Sequence, residues 1–115
     1  MSRRFGKSGK TSSYRRAMYR NLVTDLLGYE KVTTTATRAE QVRGLAEKMI
    51  TLGKHGGLHS RRQALSFIFD KDVTDKVFTE LAQRYAARLG GYTRITKLGR
   101  RIGDGAAVVQ LELVK

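Results

Sequence analysis

Seven basic side chains and no acid fall within the first twenty residues, and this limits where a core can form. Arg3, Arg4, Lys7, Lys10, Arg15, Arg16 and Arg20 stand among Gly, Ser and Thr, with Phe5, Tyr14, Ala17, Met18 and Tyr19 the apolar exceptions after Met1. A segment of that composition buries too little apolar surface to fold by itself. Its like charges repel one another until an anion neutralises them. Residues 1–11 are therefore expected to form a flexible basic arm, and residues 12–115 to supply one globular domain. A nucleic-acid backbone is the simplest counter-charge for such an arm.

The whole chain carries a net charge of +13 on 115 residues, whereas a small domain stays dispersed with a net excess of about 2–8. The charge is also segregated. Acids gather between Asp25 and Glu47 and between Asp70 and Glu80, while Arg84 to Gly103 holds six basic residues and no acid. Separated blocks point to a binding face rather than to solubility alone. The length suits a single core. The absence of Cys excludes disulfides, Cys-ligated zinc and thiol chemistry. No apolar run approaches the ~18 residues of a membrane span. An Arg- and Ser-rich start is shared with organelle transit peptides, but no long amphipathic extension follows, so a cytoplasmic location is expected.

Periodicity gives an α+β chain: helix, strand, three helices, two strands. Ser12 or Ser13 can cap a first helix running to about Leu27, with Tyr14, Met18, Leu22 and Leu26 as its apolar stripe, Arg16 and Arg20 opposite, and Gly28 as its stop. Tyr29 to Thr35 is β-branched and aromatic, as a strand requires. Thr37-Arg38-Ala39-Glu40 has capping-box spacing and opens a helix to about Gly53, with Ala39, Val42, Ala46 and Met49 inward. Gly56-Gly57 breaks the chain before a helix over Leu58 to Ile68, with Leu58, Leu65 and Ile68 on one side. Asp70 or Asp72 caps the next helix, with Val73, Val77, Phe78, Leu81 and Tyr85 facing the core, stopped by Gly90-Gly91. Tyr92 to Leu98 and Val108 to Val114 read as strands, joined by the glycine-rich, basic loop Gly99 to Gly105.

Several patterns invite chemistry. Gly6-Lys7-Ser8-Gly9-Lys10-Thr11 ends like a phosphate-binding P-loop, but Arg4 stands where the first glycine belongs and no buried strand can precede it. His55 and His59 have a metal-ligand spacing that Gly56 and Gly57 interrupt, and no Cys or nearby carboxylate completes a site. Asp70, Asp72 and Asp75 are explained by capping and the helix dipole. No nucleophile–base pair stands out, so no catalysis, cofactor, metal or small-molecule substrate is expected. The basic clusters remain: the arm, Arg15, Arg16 and Arg20, then Arg61 and Arg62, then Arg94, Lys97, Arg100 and Arg101. Arginine's planar fork suits phosphate oxygens, and Tyr14, Tyr19 and Tyr92 are candidates to stack on unpaired bases. The rival to RNA is DNA: the third and fourth helices imitate a helix-turn-helix, but the acids from Asp70 to Glu80 would then face phosphates.

Arg88-Leu89-Gly90-Gly91-Tyr92-Thr93-Arg94-Ile95 resembles the R-x-G-G-Y-T-R-I signature of protein seventeen of the bacterial-type large ribosomal subunit. Thr11-Ser12-Ser13-Tyr14-Arg15-Arg16-Ala17-Met18 is similar to that family's T-S-S-H-R-x-A-M. Thr33-Thr34-Thr35 before Arg38-Ala39, the paired Arg61-Arg62, and Gly103-Asp104 before the last strand also follow its order. The arm is shorter than the family's, Tyr14 replaces its His, and Ala106-Ala107-Val108 stands for its A-P-M. The resemblance implies a two-layer α/β domain that helps fold and hold large-subunit ribosomal RNA near the outer side of the peptide exit region, beside other large-subunit ribosomal proteins. The expected RNA ligands among the residues are Arg3, Arg4, Lys7, Lys10, Arg15, Arg16, Arg20, Arg61, Arg62, Arg94, Lys97, Arg100 and Arg101.

Overall fold

In the computed structural model, which describes residues 12–115, helix α1 spans Ser12–Tyr29. It already includes Ser12 and Ser13, so neither is the capping residue expected ahead of the first turn; the position before Ser12, the arm and the P-loop-like segment lie outside the described residues. Its apolar stripe holds only at the C-terminal half: Val23, Leu26 and Leu27 are buried, Leu22 is half-buried and Tyr14 is 52% exposed. Gly28 does not end the helix. Glu30 does, in a left-handed conformation (φ 72°) with its amide donating to Leu26 O at 2.8 Å. A non-glycine residue resists that conformation, and three ionic contacts hold it there. The Glu30 carboxylate accepts from Arg84 Nη1 and Nη2 at 2.8 and 2.9 Å and pairs with Lys76 at 2.9 Å. Lys76 also donates to Gly28 O at 2.9 Å.

Strand β1 (Lys31–Thr35) leads directly into α2 (Ala36–His55). The N-cap is Thr35, whose hydroxyl accepts from Arg38 N at 3.4 Å, two residues before the Thr37 of the expected capping box. Ala39, Val42, Ala46 and Met49 are buried as their spacing required, joined by Ile50 and Gly53. Helix α3 covers Leu58–Ile68. Its core face is Ser60, Ala64 and Ile68; Leu58 and Leu65 are 63% and 40% exposed, because α1 and α2 approach from the other side.

Asp70 caps α4 (Lys71–Lys76), accepting from Val73 N at 3.1 Å. The helix continues through a π-helical turn, Val77–Leu81, into a last turn at Ala82–Arg84, designated α5. Gly53 lets this turn approach α2: a Cβ on it would stand 2.8 Å from Val77 Cγ1 and from Val77 O. Thr74, Val77, Leu81 and Tyr85 are buried, while Val73 and Phe78 are half-buried at the edge. The helix ends at Tyr85, before Gly90, with the Tyr85 hydroxyl donating to Val114 O in the core.

Strands β2 (Thr93–Arg100) and β3 (Ala107–Leu113) complete an antiparallel sheet of order β1-β3-β2. Lys31 faces Glu112 and Thr35 faces Val108 on one side of β3; Thr93 faces Leu113 and Lys97 faces Val109 on the other. A bulge between Lys97 and Gly99 shifts the register. Val109, Leu111 and Leu113 point into the helices and are buried. The opposite face bears no layer among the described residues, and Arg94 and Lys31 flank Glu112 there. The result is the expected two-layer α+β arrangement.

Candidate nucleic-acid interface

Three elements meet beyond the end of the sheet where β1 finishes and β3 starts. The N-terminal half of α1 brings Arg15 and Met18, the β1–α2 junction brings Thr35 and Arg38, and the β2–β3 hairpin brings Lys97, Arg100 and Arg101. They enclose three shallow depressions that share walls. Arg15 and Arg38 line the first, Arg38 and Arg101 the second, Lys97 and Arg100 the third. No acidic residue lines any of them. The N-terminus of α2 also opens here, adding its partial positive charge.

Placement explains the convergence. α1 runs antiparallel to β1, so its start lies over the far end of that strand. The bulge after Lys97 carries the last residues of β2 towards the α2 junction, and Ala36 and Gly99 share one depression. The side chains of Arg15, Arg16, Arg38 and Lys97 have no hydrogen bond, ion pair or ring contact among the described residues. Arg38 is the member that sequence patterning missed. Its place in the presumed capping box concealed an exposed guanidinium directly after a strand.

Other expected ligands have internal partners. Arg20 is the clearest correction. Its guanidinium donates to Phe67 O at 2.8 Å and Ser66 O at 2.6 Å, and it stacks 3.3 Å from the Phe69 ring centroid. Those are carbonyls at the open C-terminal end of α3, which carries no basic residue in its own last turn. Thr24 joins it, donating to Ile68 O at 3.1 Å. Arg20 thus closes α3 against α1 instead of pointing outward.

Arg61 pairs with Asp75 and lies 5.6 Å from the Phe78 ring centroid, whereas Arg62 beside it is exposed and has no partner among the described residues. Neither lines the three depressions. Arg94 pairs with Glu112 at 2.8 Å across the sheet, well away from the hairpin end, and this pairing together with Gln110 holds the Glu112 carboxyl below its usual range. Arg101 pairs with Asp104, whose pKa falls to about 2 through that bond and the Ala106 amide. Arg100 donates to Gly105 O at 2.9 Å. A neutral acceptor of this kind orients the guanidinium without cancelling its charge. Arg3, Arg4, Lys7 and Lys10 lie outside the described residues.

Tyr92 cannot stack on bases. It is 3% exposed, 5.0 Å from the Tyr85 ring, with its hydroxyl accepting from Lys54 Nζ at 2.8 Å. Tyr14 and Tyr19 remain at the edge of the depression that Arg15 and Arg38 line. His55 and His59 are exposed. No group of three His, Asp or Glu residues able to hold a metal occurs among the described residues. No helix among them is long and apolar enough to cross a membrane.

The family model described as ribosomal protein L17 matches residues 18–114. A curated relative named large ribosomal subunit protein bL17, from Caldanaerobacter subterraneus subsp. tengcongensis, is 60% identical over 110 residues, covering 96% of this chain and 98% of its own. The protein of the same name from Thermoanaerobacter sp. (strain X514) is 59% identical over the same length, and that from Clostridium acetobutylicum is 55% identical over 114 residues, 99% of this chain and 100% of its own.

Proposed function

Because the chain belongs to the ribosomal protein L17 family, we propose that it clamps folded large-subunit ribosomal RNA through the basic end of its domain and its arm. It is a structural constituent of the large ribosomal subunit, and family membership decides against the helix-turn-helix reading. The observation that carries the clamp is the convergence of Arg15, Arg38, Lys97 and Arg100 on acid-free depressions at one end of the sheet. These cations face outward without an anionic partner among the described residues, and RNA phosphates supply one. Shape and backbone are read more than base edges. Arg3, Arg4, Lys7 and Lys10 in residues 1–11 extend the same charge. Arg62 and Arg94 act as secondary contacts on other faces, and Arg20, Arg61 and Arg101 serve mainly to hold the fold that presents the rest. The chain performs no catalysis, uses no cofactor, and works in the cytoplasmic ribosome among neighbouring large-subunit proteins.

The salt dependence of binding to protein-free large-subunit rRNA tests this. Each phosphate contact contributes about 0.7–0.9 to the log–log slope. Five domain cations (Arg15, Arg16, Arg38, Lys97, Arg100) give a slope of roughly −3.5 to −4.5, and four arm cations add roughly −3. Deleting residues 1–11 should therefore lower the slope by about 3 without changing the melting temperature of the domain. A flat salt dependence of the full chain would refute the clamp.

A further inference from the structure

Ile102 stands at the apex of the β2–β3 loop with 99% of its surface exposed. The loop beneath it is closed by its own bonds. Arg101 N donates to Ala106 O at 2.8 Å and Gly105 N to Arg101 O at 2.9 Å. The Asp104 carboxylate accepts from Arg101 at 3.1 and 2.5 Å and from Ala106 N at 3.1 Å. Gly103 and Gly105 take positive φ of 107° and 70°, which a side chain would resist. An ordered loop that holds an isoleucine away from the core loses little further entropy on binding. Its one acid, Asp104, is tied to Arg101, so it adds little repulsion towards phosphate.

We propose that this loop is a preformed wedge whose Ile102 side chain inserts against base faces of ribosomal RNA where stacking is interrupted, at a bulge or helix junction. This rests on the reading of the chain as an rRNA clamp and adds a contact that charge alone does not provide. Arg100, two residues before Ile102, and Lys97, farther down β2, hold phosphates, and Ile102 at the tip meets the apolar surface of a base. A ligand that sets phosphates next to flat apolar faces fits that combination. A regular RNA duplex offers little to an aliphatic side chain, because its deep groove is too narrow and its shallow groove displays 2′-hydroxyls. Unstacked bases offer apolar area directly, as they do to the aliphatic wedges of groove-binding proteins.

The test uses the full chain and protein-free large-subunit rRNA, with affinity measured over a salt series and nucleotide flexibility mapped by 2′-hydroxyl acylation. Ile102→Ala should weaken binding about tenfold, the low end of what burying such a side chain contributes. It should leave the salt slope unchanged and alter reactivity at a few neighbouring nucleotides. Arg100→Gln should instead lower the slope by about one. Both variants should melt as the parent does, since neither side chain lies in the core. Unchanged affinity and reactivity with Ile102→Ala would overturn the wedge. So would an effect that appears only when other ribosomal proteins are added, which would assign Ile102 to a protein contact. Failure of the parent chain to bind rRNA in a salt-dependent way would instead remove the clamp itself.

Discussion

Gly44 and Gly53 lie in the same helix, yet alanine at the two positions should act in opposite directions. At both, helix propensity favours Ala over Gly by about 1 kcal/mol. Nothing lies within 4 Å of a Cβ built on Gly44, so Gly44→Ala should stabilise the protein by about 0.5–1 kcal/mol. A Cβ on Gly53 would stand 2.8 Å from Val77 Cγ1 and 2.8 Å from Val77 O. Overpacking of this kind costs about 1–3 kcal/mol. The upper part of that range applies, because a main-chain oxygen inside the π-helical turn cannot rotate aside. After the propensity gain, Gly53→Ala should lose about 1–2 kcal/mol. One kcal/mol moves the melting temperature of a domain this size by about 4–8 °C. Circular dichroism melts should then show a rise of roughly 4 °C for Gly44→Ala and a fall of about 5–10 °C for Gly53→Ala. Removing Cγ1 with Val77→Ala leaves the carbonyl contact, so the double variant should stay below Val77→Ala alone. A Gly53→Ala protein as stable as its parent would show that α2 and the π turn separate at little cost, and the packing argument would fail.

The Glu30 node predicts a pH signature. Hydrogen bonds from Arg84, helped by Lys76, hold its pKa at about 2 against the ordinary 4.5 of a free glutamate, so its contribution is complete above about pH 4.5 and fades as pH falls through 2. The shift corresponds to about 3 kcal/mol, reduced to ~2 kcal/mol because the carboxylate stays 18% exposed. Denaturant melts of Glu30→Gln should show that deficit at pH 6 and almost none at pH 2; a deficit constant with pH would contradict the assignment. The adjacent arginines of α3 should also separate. Arg61→Ala should cost about 0.5–1 kcal/mol of stability, since its pair with Asp75 is partly exposed. Arg62→Ala should leave stability within ~0.5 kcal/mol and only weaken rRNA binding. Equal stability losses for both would undo the distinction.

Local signals carried the element order well. Gly56-Gly57 and Asp70 bracket α3, and those residues act on the backbone within a turn of where they stand. Alternation along Val109, Leu111 and Leu113 marked the buried face of β3. Features set across the chain were not legible. The end of α1 depends on Glu30 meeting Arg84, and no neighbour of Gly28 announces that. Thr35 won the cap of α2 over Thr37 because β1 pairing ends there, which is a property of the sheet. The candidate interface was half legible. Net charge and the basic loop pointed to RNA as the ligand class, and three residues singled out on that ground, Arg15, Lys97 and Arg100, fall at the proposed interface. Whether a given arginine would be spent internally could not be read, because the carbonyls that take Arg20 lie 46 and 47 residues away. Arg38 was hidden for the opposite reason, assigned to local helix chemistry when its side chain is exposed.

The bulge after Lys97 has a further effect on the molecule before it is assembled. β2 is an outer strand of the sheet, and a straight outer strand is a template on which copies of a chain can polymerise. The register break limits uninterrupted pairing to Thr93–Lys97 before Gly99 and Arg100 pair again, with Arg94 and Lys97 projecting from that short stretch. Newly made protein awaiting incorporation therefore offers its siblings a kinked, charged rail rather than a smooth one, which should keep surplus copies apart.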